Sequence, residues 1–272
     1  LSVHLTLIPE VGGGELKTKP TQHSVTKMRE IGIQPDILMC RAPRLLEEDM
    51  RKKLSLFTNV PVEAVISAPD VEHTLYECPL LYARQGLDSL VLRRLGLPEG
   101  NSDLSAWERT VNTYVNASRT IKIAMVGKYI ELGDSYKSVD EALLHGGIAN
   151  GVRVQIIKID SEGLEDNEAA VEELKDVDGI LVPGGFGSRG VKGMVRAARF
   201  ARENKLPYFG ICLGMQVMVI EYARTVLGLA DADSTEFTPE CPNPVVSLLE
   251  EQVDVTHYGG TMRLGAMETK LK

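Results

Sequence analysis

The chain carries one cysteine set between two glycines, in Pro207-Tyr208-Phe209-Gly210-Ile211-Cys212-Leu213-Gly214-Met215-Gln216. A side chain that attacks a carbonyl from a tight strand-to-helix turn needs neighbours without Cβ atoms, and Gly210 and Gly214 supply them. Such a turn sets the sulfur at a helix N-terminus, where partial positive charge favours thiolate, and aims backbone amides at an oxyanion formed nearby. Cys212 is therefore the candidate nucleophile, the alternative being a small buried thiol in a core strand. A second glycine turn, Pro183-Gly184-Gly185-Phe186-Gly187, directly follows an apolar strand and could form half of an oxyanion hole, or only a connector.

These turns need strands to carry them. Residues 121–126, 152–159, 179–182 and 208–212 read as strands separated by stretches of helix length, with the glycine-bearing turns at their ends, among them Gly127-Lys128-Tyr129. Upstream, strands are expected at 1–9, 36–40 and 64–67 and helices near 24–31, 46–57, 73–95 and 105–115. The fold class is α/β: two Rossmann-like parallel sheets, in domains 1–115 and 121–272 joined by a polar linker at 116–120. Ligands of open parallel sheets gather at the carboxyl ends of the strands.

Composition sets outer limits. A hydrophobic content of 43% with 25% charged residues describes a globular chain. The net charge of −8 argues against broad nucleic-acid or membrane binding and leaves small anionic ligands open. Cys40, Cys78, Cys212 and Cys241 form no Cys-x-x-Cys pair, so neither a zinc site nor a disulfide framework is expected, and a reducing cytoplasm is the expected setting. No apolar run reaches the ~18 residues that span a bilayer.

The two glycine turns, with Asp233-Ser234-Thr235-Glu236-Phe237, resemble the class I glutamine amidotransferases and, among them, the CTP synthase family. Gly14-Glu15-Leu16-Lys17-Thr18-Lys19-Pro20-Thr21-Gln22-His23-Ser24-Val25 and Gly32-Ile33-Gln34-Pro35-Asp36-Ile37-Leu38 resemble that family's synthetase (amidoligase) domain. The resemblance implies ATP-dependent amination of UTP to CTP with ammonia from glutamine, Cys212 forming a glutamyl thioester. It implies glutamine binding by Gly185, Leu213, Gly214, Met215, Gln216 and Glu236, with Gly185 and Leu213 at the oxyanion and Glu236 at the substrate ammonium. It implies UTP or CTP binding by Lys17, Thr18, Lys19, Pro20, Thr21, Gln22 and Lys53, and ATP at Asp70 and Val71. An activator region for GTP is implied at Phe186 and Arg189, with Lys192 departing from the acid common there. CTP is implied as feedback inhibitor, the oligomer as a tetramer, and Mg2+ as a cofactor whose ligands would precede Leu1.

No histidine here has a Glu two residues later, so the family's His-x-Glu base pair is expected beyond Lys272, and no Gly-x-x-x-x-Gly-Lys phosphate loop is present. The chain is thus expected to be an internal fragment, inactive alone. Three other readings stay open: the glutaminase of another synthetase, a nucleotide-binding regulatory or polymer-forming module, and a thiol hydrolase or redox sensor on the same sheet.

Overall fold

The structure is a computed structural model that describes residues 1–100 and 102–248. The chain divides into two compact units, Leu1–Asn116 and Ala117–Lys272. His257 and the glycine-bearing segment 259–265 lie outside the described residues.

In the first unit, β1 (Val3–Leu7), β4 (Ile37–Ala42) and β5 (Val65–Pro69) form a parallel sheet in the order β1-β4-β5. All five β5 residues are buried and β4 is nearly so, as continuous apolar runs between covering layers should be. Edge strand β1 instead leaves Val3, Leu5 and Leu7 exposed along one face. A short hairpin that the sequence did not announce, β2 (Glu10–Val11) with β3 (Glu15–Leu16), turns through Gly13 and Gly14, both at positive φ. Arg44 ties it down, donating to Glu10 and, at 2.5 Å, to the Gly14 carbonyl.

Helix α1 (Lys19–Glu30) begins five residues earlier than the expected 24, because Pro20 is tolerated in the first turn, where its missing N–H leaves nothing unsatisfied. α2 spans Glu48–Thr58. The expected helix over 73–95 is broken: a 3-10 turn at Leu75–Glu77 leads into α3 (Cys78–Arg84), and Gly86 at φ 74° separates it from α4 (Leu87–Leu95). α5 (Ser105–Val115) closes the unit. Its core gathers Ile37, Leu38, Leu54, Val65 and Ile66.

In the second unit, β6 (Thr120–Gly127), β7 (Arg153–Asp160), β8 (Gly179–Val182) and β9 (Tyr208–Gly210) form a parallel sheet in the order β7-β6-β8-β9. The chain leaves β6 for one neighbour and returns to the other side for β8, which opens a crevice at their carboxyl ends. The same order makes the turns after β6, β8 and β9 spatial neighbours. Helices α6 (Lys137–Ala149), α7 (Glu168–Glu172), α8 (Val191–Glu203) and α9 (Leu213–Thr225) make the connections. One core joins Val126, Ile180, Val182, Met194, Ala197, Leu213 and Val217, and the other sheet face buries Met125, Tyr136 and Leu181. A small parallel pair, β10 (Ala232–Ser234) and β11 (Asn243–Val246), follows α9. The architecture is thus α/β with parallel sheets in both units. Among the described residues no helix is long and apolar enough to cross a membrane.

Candidate active site at the Cys212 turn

Cys212 sits between the end of β9 and the first residue of α9, with φ 54° and ψ −109°. A non-glycine residue held there is strained by about 1–3 kcal/mol, a cost that persists only where the surroundings dictate the conformation. They do so here. The Ile211 N–H donates to the Val182 carbonyl at 2.9 Å, which ties the turn to β8. A Cβ on Gly210 would meet the Gly214 carbonyl carbon at 2.3 Å, and one on Gly214 would meet the Val182 oxygen at 1.9 Å. The two glycines allow β9, the turn and α9 to close on β8, and the sulfur is left exposed at the helix N-terminus.

Gly184 and Gly185 bring the second turn against this one. A Cβ on Gly184 would lie 3.4 Å from the Cys212 Cβ, and one on Gly185 would lie 3.6 Å from Leu213 Cδ2. Glu236, in the segment after β10, reaches the same turn, its Oε1 accepting the Gly187 N–H at 2.8 Å. Ser234 orients it by accepting the Glu236 N–H at 3.2 Å. Of the residues expected to hold glutamine, Gly185 and Leu213 therefore meet beside Cys212, and Glu236 holds the far end of the Gly184–Gly187 turn. Gly214 serves closure of the elbow, and Met215 and Gln216 stand in the first turn of α9, Met215 exposed.

Phe186 and Arg189 flank the turn. Arg189 pairs with Glu162, donates to the Lys128 carbonyl at 3.1 Å and lies 5.6 Å above the centre of the Tyr129 ring. Arg189, Glu162, Lys128 and Tyr129 border a cleft of about 260 Å³ that also includes Asp160 and Ile130.

Two contributors escaped the sequence reading. Lys128, only 4% exposed, donates from Nζ to the carbonyls of Phe186, at 3.0 Å, and Gly187. Burial pulls its ammonium down to about 8, against the upward pull of Glu236. A lysine following a strand-end glycine ordinarily reads as a solvated charge, so nothing local signalled its burial. Tyr208 donates from its hydroxyl to the Gly214 carbonyl at 2.8 Å, bracing the elbow from behind, and burial pushes its phenol up. Its place two residues before Gly210 was the available signal.

In the first unit, the segment expected to bind nucleotide straddles the start of α1. Lys17 precedes the helix, Thr18 is its N-cap, and Lys19, Pro20, Thr21 and Gln22 form its first turn, so Lys19 lies on the helix that was expected to start only near residue 24. Thr18 and Thr21 are buried, and Thr21 donates to Thr6 Oγ1 at 3.1 Å and to the Leu7 carbonyl at 3.3 Å. Gln22 Nε2 donates to Thr18 Oγ1 at 3.1 Å. Lys17 pairs with Glu15 at 2.6 Å, and the Glu15 carboxyl is held below its ordinary value first by that contact and also by the field of Lys53. Lys17 and Lys53 thus share one surface. Asp70, at the end of β5, pairs with Arg41 at 2.6 Å, with Val71 beside it. Among the described residues no three His, Cys, Asp or Glu side chains come together to hold a metal ion.

Residues 131–271 match the model of the class-I glutamine amidotransferases and residues 1–97 that of the CTP synthase N-terminus. The chain belongs to the class-I glutamine amidotransferases. Within that class its similarity is to CTP synthases: it is 53% identical to that of Aquifex aeolicus over 271 residues, 99% of this chain and 50% of the relative. The CTP synthase of Geobacter sulfurreducens is 52% identical over 273 residues, 100% of this chain and 51% of that one. A solved structure described as the glutaminase domain of Trypanosoma brucei CTPS with bound acivicin is 48% identical, covering 48% of this chain and 50% of that one, at a TM-score of 0.44. The chain spans about half the length of the curated relatives it matches.

Proposed function

We propose that this chain belongs to a protein that aminates UTP to CTP, and that its second unit releases the ammonia from glutamine. The observation that carries the reading is Cys212, exposed and strained at a helix N-terminus against the Gly184–Gly185 turn. The thiolate attacks the side-chain carboxamide carbon, the C–N bond breaks, ammonia leaves, and a glutamyl thioester remains. Water then cleaves the thioester to glutamate and returns the thiol. Backbone amides at Gly185 and Leu213 stabilise the oxyanion of each tetrahedral intermediate, Glu236 takes the substrate ammonium, and Met215 and Gln216 line the substrate. A His-x-Glu pair elsewhere in the protein serves as base.

In the first unit, Lys17, Lys19 and Lys53 neutralise the UTP triphosphate, with Thr18 and Gln22 shaping the helix start. Thr21 contributes by packing. Asp70 and Val71 border ATP, whose γ-phosphoryl goes to the UTP 4-oxygen before ammonia displaces it as phosphate. Mg2+, when bound, would supply charge neutralisation on those phosphates. GTP activates through Phe186 and Arg189, CTP inhibits at the UTP surface, and the assembly is a cytoplasmic homotetramer. This scheme is supported by similarity to CTP synthases along 99% of the chain.

Conversion of UTP to CTP by the complete gene product tests it. CTP is expected with ATP and glutamine, and a Cys212→Ala variant is expected to make CTP only from added ammonia. Glutamine hydrolysis without CTP would point to another synthetase, and nucleotide binding without turnover to a regulatory module.

A further inference from the structure

Lys128 is the buried charge that the glutaminase scheme leaves without a task. An ammonium taken out of water is costly unless its donors and its charge are met by the protein. Here its donors go to one short stretch of backbone, the carbonyls of Phe186 and Gly187. The alkyl stem lies along the same turn, since a Cβ on Gly185 would stand 3.3 Å from Lys128 Cδ. The lysine is itself fixed by its own backbone: its N–H donates to the Tyr136 hydroxyl at 3.2 Å and its carbonyl accepts from Arg189 at 3.1 Å. On the Gly187 amide, Glu236 accepts at 2.8 Å.

The glycine turn is therefore gripped twice, by a cation on two carbonyls and by a carboxylate on an amide. Because each peptide unit is planar, fixing the carbonyls of Phe186 and Gly187 sets two successive peptide planes, Phe186–Gly187 and Gly187–Ser188; the Gly184–Gly185 peptide is separated from them by one peptide along the same turn, with Gly185 itself packed on the Lys128 stem. That peptide abuts Cys212, with the Gly184 Cβ position 3.4 Å from the cysteine Cβ.

We propose that Lys128 is the positioning residue of the oxyanion-binding turn: its ammonium pins the Phe186 and Gly187 carbonyls and so keeps the Gly184–Gly185 backbone aimed at the oxyanion formed when Cys212 attacks a carboxamide. The proposal rests on the glutaminase reading. The charged groups facing the ammonium are Glu236, Arg189 and Glu162, and burial draws its pKa down to about 8, within reach of a pH profile.

The test compares the complete gene product with its Lys128→Met variant, which keeps the stem and removes the charge and donors. The kcat for glutamine hydrolysis is expected to fall about tenfold or more, with KM changed less than about twofold. Alkylation of Cys212 by iodoacetamide expels iodide without forming an oxyanion, so its rate should be unchanged. The kcat ratio of wild type to variant should narrow above pH 8, where wild-type Lys128 also loses its charge. Equal loss of alkylation, or a ratio independent of pH, would reduce Lys128 to a packing residue and overturn the proposal. Should Lys128→Met fail to fold, Lys128→Gln, with an amide donor and no charge, carries the same comparison. If the wild type hydrolyses no glutamine the glutaminase reading has failed, whereas a variant with wild-type kcat defeats only the role of Lys128.

Discussion

The elbow at Cys212 and the helix start at Lys19 are both candidate sites at the carboxyl ends of parallel strands, yet they are built by opposite means. At the elbow the backbone is the instrument: Gly210 and Gly214 leave no room for a Cβ, and Cys212 is forced to φ 54°. At the helix start the instruments are surface side chains, the exposed Lys19 and Lys53 and a half-buried Lys17 paired with Glu15. A site made of backbone is expensive to alter and specific in shape. One made of surface cations is cheap to alter and acts through charge.

The comparison breaks first at Gly214. Gly214→Ala places a methyl 1.9 Å from the Val182 carbonyl oxygen, backbone that cannot swing aside, so a loss of about 3 kcal/mol or more is expected in urea unfolding. Tolerance of the alanine would mean the elbow is looser than described. Next comes Cys212→Gly, which removes the nucleophile together with the strain. Glutaminase activity should disappear while stability rises by about 1 kcal/mol, and a destabilised variant would show that φ 54° carries no stored cost.

Glu236→Gln tests the carboxylate on the second turn. Its amide oxygen can still accept the Gly187 N–H but no longer balances a substrate ammonium, so KM for glutamine should rise about tenfold with a smaller change in kcat. An unchanged KM would assign Glu236 to the loop alone. The smallest structural effect belongs to the other region. Lys17→Ala removes an ion pair whose side chains are 43% and 67% exposed, so stability should change by less than about 0.5 kcal/mol while UTP affinity drops about tenfold. Loss of stability without loss of affinity would invert the contrast between the sites.

The same contrast explains what the sequence could tell. Glycine at fixed spacing around a cysteine has few physical uses, so the elbow, its flanking strands and the Gly184–Gly185 turn were legible from residue types alone. Lys17 to Gln22 carried no such signal, and only resemblance singled them out. The residues have no motif that separates a nucleotide grip from a solvated helix start, and Thr21 proved to be buried against Thr6. Lys128 was invisible for a related reason. Whether a lysine is solvated or buried depends on which strands become neighbours, and the order β7-β6-β8-β9 that sets β6 beside β8 is a property of the whole sheet. The break at Gly86 shows the limit of periodicity: a left-handed residue ends one helix and starts another without interrupting the apolar pattern.

The central claim is that Cys212 is the nucleophile of a glutaminase, and labelling with 6-diazo-5-oxo-L-norleucine tests it most directly. Peptide mapping by mass spectrometry of the complete gene product should place a single adduct on Cys212, with labelling slowed by glutamine and absent in the Cys212→Ala variant. Adducts on Cys40, Cys78 or Cys241 instead, or no adduct on a protein that still hydrolyses glutamine, would contradict it.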